Sequence, residues 1–502
     1  MKRLAGLLAA LLLLVWPLPR VFTSDVLTHP AREGAAHIWG LWAGLRWGPL
    51  IIESPMLRYP DGIRLVLVDP GNLVPFGVGG LLGPAAGYNL VVLSGVIVAG
   101  LGGWMIARHV DGVPWLGALA AMCCPPLLAA TSEGTTEDFG VGWVLVFTAL
   151  LLRGSWWAIP ALTLAWLTGP YNGLWASLIG AALGAWWLVR DRRKAGRAAL
   201  VGLCAAALGA PYFWAVLTQR GKGLPGTGHH PHFGHLPAIQ ETEAFRGDLW
   251  HGADLLDAWF PAQLTGGEAE WSHTAYVGAV ALVFGIAAVR RRRELWPWLV
   301  ASLAFSVVAL GPWLFLGGEV LRIDGDPLVA PTGLALKALP ELTRFTRWYR
   351  AGAVAALLLV PLVSTWRGPS ALLVGGLLLA DTLMLAPFPW PHTSAPMPDV
   401  RGLEAEGPLM EVPPFVLGEP PAGAWRDQNV LAQTLHGRPI AGSMMGLGPS
   451  HESGPLFREV EVGDYSSVEA RGYTSIVVWK DLTDRRLPGA VYEDDVKAVY
   501  LP

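Results

Sequence analysis

The sequence predicts a mainly α-helical, polytopic transmembrane bundle of about eleven spans, followed by a small mixed α/β domain. Three observations predict it. Of 502 residues, 53% are hydrophobic and only 15% charged, against roughly 25% charge in soluble domains. The apolar residues arrive in blocks of about 15 to 20, the length that crosses a hydrocarbon core. Lys and Arg then concentrate in every second connection between those blocks.

With a mean hydropathy of +0.42, the chain specifies too much apolar surface for one water-soluble core. Intrinsic disorder is excluded by the same composition. The formal net charge of −3 supplies no basic surface for nucleic acid. Cys123, Cys124 and Cys204 all fall in apolar blocks without a CxxC, which argues against a disulfide framework, redox chemistry or structural zinc.

The first block, Leu4 to Phe22, follows Lys2 and Arg3 and reads as a span, because no small-x-small cleavage site precedes Ser24. Further blocks lie at 88–107, 114–130, 139–152, 155–168, 171–189, 196–217, 273–289, 295–316, 349–366 and 369–388. An N-terminus inside puts Arg108, Arg153, Arg190–Lys194, Arg290–Arg293 and Arg367 on the cytoplasmic side of the membrane. The external loops are then 23–88, 131–138, 218–272 and 317–348. Residues 1–389 form the membrane domain on this reading, and 390–502 an extracytoplasmic domain. That last segment holds 16 Asp and Glu against 9 Lys and Arg and no spanning stretch. The alternation in Thr474–Trp479 predicts a buried strand, and Ala490–Leu501 ends in another.

Most polar chemistry falls in the external loops. Asp25, just past the first span, is positioned to act as a general base on an acceptor hydroxyl; the other reading is a turn or a helix N-cap. His37 to Trp47 carries Trp39, Trp42 and Trp47 at helical spacing and predicts an amphipathic helix lying in the membrane interface. Tyr59-Pro60-Asp61-Gly62 and Asp69-Pro70-Gly71-Asn72 read as turns. Glu133, Glu137 and Asp138 read as a solvated inter-helix loop, with oxygen ligation of a divalent cation as the alternative. His229-His230-Pro231-His232-Phe233-Gly234-His235 has imidazoles but no regular ligand spacing. Arg344, Arg347 and Arg350 recur at i, i+3 and i+6. They suit either phosphate recognition, through their planar forks, or interfacial snorkelling beside Trp348 and Tyr349.

Several segments, in this order along the chain, carry a resemblance. They are Asp25, Tyr59–Gly62, Asp69–Asn72 with Leu82–Leu90, Ala253–Leu256, Leu310–Trp313, Leu339–Arg347, Ala432–Ile440 and Glu493–Asp495. Together they resemble the bacterial GT-C-like polytopic membrane glycosyltransferases, family-39-type and YfhO-like. The resemblance implies a polyprenyl-phosphate-linked sugar as donor, membrane lipids as surroundings and an envelope acceptor on the periplasmic face. It implies Asp25 as the catalytic carboxylate and a donor phosphate held by Arg344 and Arg347, with Arg58 and Arg64 after them. His29, His37, Glu133 and Asp138 are the expected acceptor or cation contacts. A divalent cation is the one cofactor the pattern admits. The chain departs from the pattern in lacking a second acid beside Asp25, and Ser132–Phe139 stands where relatives carry a Gly-His motif. A catalytically inactive scaffold in envelope polysaccharide assembly or export is therefore the alternative.

Overall fold

The computed structural model describes residues 25–218, 252–256, 275–317, 319–339, 347–384, 394–413, 425, 427–442, 460, 466–480, 482–483 and 490–501. The first apolar block, Arg344 and the histidine run 229–235 lie outside the described residues.

The fold is mainly helical. A two-residue strand β1 (Asp25–Val26) precedes helix α1 (Gly34–Trp47) and the hairpin β2–β3 (Ile51–Ser54, Ile63–Val66). Then come α2 (Leu73–Gly80), α3 (Pro84–His109), α4 (Pro114–Met122), α5 (Pro125–Glu133) and the single turn α6 (Thr136–Phe139). The bundle continues with α7 (Gly142–Leu152), α8 (Ala158–Thr168), α9 (Pro170–Arg190) and α10 (Arg192–Thr218). It ends with α11 (Ala279–Arg291), α12 (Trp296–Ala309), α13 (Ala351–Leu357) and α14 (Pro369–Met384). Among the described residues, four stretches are long and apolar enough to cross a bilayer: 84–109, 114–133, 170–190 and 192–218. The other expected spans that fall among the described residues are shorter helices.

The block expected as one helix over 114–130 is interrupted at Cys123-Cys124. Pro125 and Pro126 have no N–H to give to the preceding turn, so α5 restarts there with proline in its first turn. Close packing of α3 on α4 rests on small residues. A Cβ at Gly103 would strike the Gly117 carbonyl, and one at Gly117 would strike Gly103.

Helix α3, 26 residues long and so roughly 39 Å at 1.5 Å per residue, separates two chemically different ends. At its C-terminal end, arginines close the bundle on backbone carbonyls. Arg153 donates to Met105 O (2.8 Å), Arg292 to Val110 O (2.9 Å) and Arg367 to Asp111 O (2.6 Å). At its N-terminal end, Asn89 clamps β1, donating to Asp25 O (2.8 Å) and accepting from Leu27 N (2.9 Å). The connections expected on one side thus do lie together.

The C-terminal segment contributes β4 (Ala395–Pro396), paired antiparallel with β1, and a four-stranded sheet. Its strands are β5 (Leu409–Val412), β6 (Ser475–Trp479), β7 (Tyr492–Glu493) and β8 (Lys497–Tyr500), in spatial order β7-β8-β6-β5. The predicted strand at 474–479 is present, parallel to β5 and antiparallel to β8. Helix α15 (Gln428–His436) packs on α1, and this corrects the interfacial reading of α1. Trp39 is fully buried, Trp42 nearly so, and Trp39 Nε1 donates to Gln433 Oε1 at 2.6 Å. Those indoles sit against protein because α15 covers that face.

Glu411, on β5, is fully buried. Its Oε2 accepts only a long bond from Gly442 N (3.3 Å), and its Oε1 has no hydrogen-bond donor among the described residues. Burial pushes the carboxyl up to about 8, against the bond from Gly442. The folded state therefore holds a proton that the unfolded chain releases near 4.3. Stability is full below that lower value and is lost as pH rises through about 8. Between pH 6 and 9 the expected loss is about 2–3 kcal/mol. Thermal unfolding of Glu411→Gln at the two pH values should show that slope removed; an unchanged slope would show that Glu411 does not cause it.

Candidate active site

At the β1 end of α3, residues from four separate parts of the chain meet in one buried ionic cluster. Glu33 precedes the first turn of α1, and His37 stands one turn further on. Asp69 and Asn72 bracket the 3-10 turn Pro70–Asn72. Thr136, Glu137 and Asp138 form α6. Arg347 and Arg350 flank the 3-10 turn Trp348–Arg350 that leads into α13.

Arg347 grips Glu33 with both terminal nitrogens, Nη2–Oε1 at 2.9 Å and Nη1–Oε2 at 3.2 Å. Its backbone N–H donates to Tyr171 Oη at 2.8 Å. His37 Nε2 lies 3.7 Å from Glu33 Oε2, and His37 Nδ1 lies 2.8 Å from Thr136 Oγ1. The Thr136 hydroxyl donates to Asp69 Oδ2, which also accepts from Asn72 Nδ2 at 3.0 Å. Because Thr136 spends its single proton on Asp69, it must accept from His37, so His37 Nδ1 carries a hydrogen. Asp69, Thr136, His37 and Glu33 thus form a continuous polar chain. Arg350 pairs with Glu137 and with Asp138 (Nε–Oδ1 3.1 Å) and lies over the Tyr171 ring at 4.7 Å. Thr135 Oγ1 donates to Asp138 Oδ2 at 3.0 Å.

Electrostatics follow from this packing. Burial works to raise the Glu33 carboxyl, but the Arg347 charge and the His37 hydrogen bond hold it well below the usual carboxylate range. Burial opposes charge on His37, yet Glu33, Asp69 and Glu137 raise it above the ordinary imidazole value. Asp69 is raised by burial, against the pull of His37, Thr136 and Asn72. In the pair sharing Arg350, burial raises both acids; Glu137 stays below the usual value and Asp138 goes above it. With Arg32 3.9 Å from Glu133, the group holds five carboxyls against three guanidinium groups, a formal −2 before His37 is charged.

The expected site residues are distributed unevenly over this arrangement. Arg347, His37 and Asp138 belong to the cluster, and Glu133 joins it through Arg32. Glu133, Glu137 and Asp138 are not the solvated loop expected: their side chains are only 12%, 13% and 18% exposed, because arginines from other segments neutralise them. Arg347 precedes the 3-10 turn with φ −97° and ψ 70°, outside the helical region, so Arg347 and Arg350 do not lie on one regular helix. Asp25 lies in β1, which overturns its N-cap reading. His29 turns its Nδ1 back to its own loop, accepting from Ala31 N at 3.3 Å. Arg58 is completely buried beside the 440–442 segment, where its backbone N–H donates to Gly442 O at 3.0 Å. Arg64 pairs with Glu53 across the β2–β3 hairpin at 2.9 Å, apart from the cluster. Among the described residues no three His, Cys, Asp or Glu side chains could hold a metal ion. Glu33, Asp69, Thr136 and Arg350 are the members that local pattern underweighted. Asp69 and Asn72 do form their turn, but the turn also aims the carboxylate into the cluster.

No protein-family model matches the chain, and no curated protein sequence matches it. Solved structures do. The arabinofuranosyltransferase AftD from Mycobacteria aligns over 96% of this chain and 35% of its own, at 16% identity and a TM-score of 0.53. ArnT from Cupriavidus metallidurans, solved with undecaprenyl phosphate bound, aligns over 99% and 97% at 15% identity and a TM-score of 0.42. The oligosaccharyltransferase AglB from Archaeoglobus fulgidus aligns over 95% and 69% at 12% identity and 0.37. The chain spans about a third of the length of AftD. The architecture is that of a helical membrane protein with an acid–arginine cluster at one end of the bundle. More particularly, it is a GT-C-like fold.

Proposed function

We propose that the chain is an integral membrane glycosyltransferase of GT-C type. It transfers a sugar from a polyprenyl-phosphate donor to an envelope acceptor, at the periplasmic face of a bacterial inner membrane. The observation that carries this reading is the convergence, at the end of the bundle away from the basic connections, of acids from the first two external loops with Arg347 and Arg350. The donor fits because a lipid carrier delivers a sugar where nucleotide sugars are not expected.

The chemistry is a single displacement. The acceptor hydroxyl oxygen bonds to the anomeric carbon, the carbon–oxygen bond to phosphate breaks, and polyprenyl phosphate leaves with the bonding pair. The hydroxyl proton passes to a carboxylate, for which Asp25 is the proposed base. Asn89 holds the backbone of Asp25 at the N-terminal end of α3. A net-negative surround favours the positive charge that develops on the sugar ring and disfavours the donor phosphate. The phosphate therefore needs a cation that its acid partner leaves partly open. Arg347, whose side chain remains 31% exposed, and Arg344 are the proposed contacts, and the C-terminal sheet is proposed to shape the acceptor side.

The mutual pairing of the cluster's acids and arginines favours one other reading, a non-catalytic scaffold, since paired charges need no substrate. Two measurements separate them: mass spectrometry of lipids co-purifying with the full chain, and transfer from a polyprenyl-phosphate-linked sugar to envelope glycolipid. Carrier lipid retained and turned over supports the enzyme. Its absence from the preparation, with no transfer, supports the scaffold.

A further inference from the structure

The basic end of the bundle carries far more charge than its own acids neutralise. The connections 108–113, 153–157, 190–197, 290–295 and 365–368 hold twelve Lys and Arg against three Asp and Glu, a net +9. One corner of this surface is pre-built. Arg153 Nη2 donates to Met105 O at 2.8 Å and Arg197 Nη1 donates to Gly154 O at 2.7 Å. The Arg197 guanidinium is thus fixed at Gly154 and that of the adjacent Arg153 at Met105, and both residues are exposed. Gly154 has φ +64, and a Cβ there would collide with Arg197 Nη1, so the chain makes room for the arginine at this turn. His109 lies in the fields of both Arg153 and Lys194. Among the described residues, Arg153, Arg193 and Arg197 make no ion pair; the nearby acids are Asp111 and Asp191, the latter 3.8 Å from Lys194.

We propose that this corner binds the phosphodiester headgroup of an anionic phospholipid. Like charges concentrated on one surface repel one another, and an anion bound by Arg153 and Arg197 would offset that cost. The surroundings select a lipid over a free anion or an acidic protein. Arg197 stacks over Trp156 at 5.3 Å, and Trp156 and Trp157 are 51% and 73% exposed. Leu200 and Leu203, three and six residues past Arg197 on α10, are exposed as well. Fixed guanidinium forks thus border an indole shelf and an open apolar helix face, the chemical profile of a headgroup continued by acyl chains. The proposal does not depend on the reaction suggested above.

The test uses the full chain in nanodiscs of phosphatidylcholine with phosphatidylglycerol, with bound lipids counted by native mass spectrometry after extraction. Wild type should retain phosphatidylglycerol over phosphatidylcholine, undiminished by excess inorganic phosphate. Arg153→Gln with Arg197→Gln should lower that retention at least about ten-fold, from the loss of two membrane-proximal cations. Because those two residues also brace the backbone, Arg193→Gln with Lys194→Gln serves as a second variant and should give a smaller loss. Equal retention of the two lipids by wild type overturns the proposal, as does wild-type retention in both variants. Displacement by inorganic phosphate would make this a free-anion site, and capture of an acidic protein with no lipid preference would make it a protein interface; either result overturns it too.

Discussion

Arg350→Met is expected to cost about 3–5 kcal/mol of stability, the range for stranding buried charges by removing their partner. Arg350 is 6% exposed and faces two carboxylates that are themselves largely buried. Methionine approximates its volume but leaves Glu137 and Asp138 to repel each other in a medium that screens poorly. The expected readout is a clear drop in thermal unfolding temperature at pH 7 and partial recovery at acid pH, where those acids protonate. Adding Glu137→Gln and Asp138→Asn to the same variant should restore most of the loss, because the neutral triplet needs no counter-charge. Unchanged melting in the single variant would mean that the cluster does not support the fold.

Asp25→Asn is expected to reduce transfer by about 10²–10⁴-fold, the usual contribution of a positioned general base. Retention of the donor lipid should be unchanged, since the amide keeps the shape and the backbone clamp from Asn89 does not involve the side chain. Asp69→Asn is expected to behave differently. Asp69 raises His37 through the Thr136 chain, so neutralising it should move the deprotonation of His37 to lower pH. Histidine NMR would detect that shift, and the pH profile of transfer would follow it. Wild-type turnover in Asp25→Asn removes Asp25 from the mechanism; loss of turnover in Asp69→Asn with no pH shift would transfer the base's role to Asp69.

The readability of this site from sequence depended on distance along the chain. The pairing of Arg347 with Glu33 spans 314 residues, and nothing local to either announces it. Asp69-Pro70-Gly71-Asn72 was legible as a turn because proline and glycine fix φ within the segment itself. Its second role was not, because Thr136 and His37 arrive from other helices. The amphipathic spacing in α1 correctly gave a helix, but periodicity reports only that a face is apolar; α15 decides that protein covers it. The burial of Arg58 was not legible for the same reason, since the segment beside it, residues 440–442, comes from the far end of the chain.

By itself, the sequence determined what short-range physics controls: mainly helical structure in apolar blocks, short basic connections alternating with longer ones of mixed sign, and the alternating strand at 475–479. Hydrophobic period, helix-breaking prolines and charge near an apolar segment act within a few residues, so they are written locally. The tertiary structure alone decided which acids meet which arginines, and that loops apparently open to water are buried. Coulomb attraction and desolvation depend on separation in space, and in this chain the partners come together only after the helices have packed.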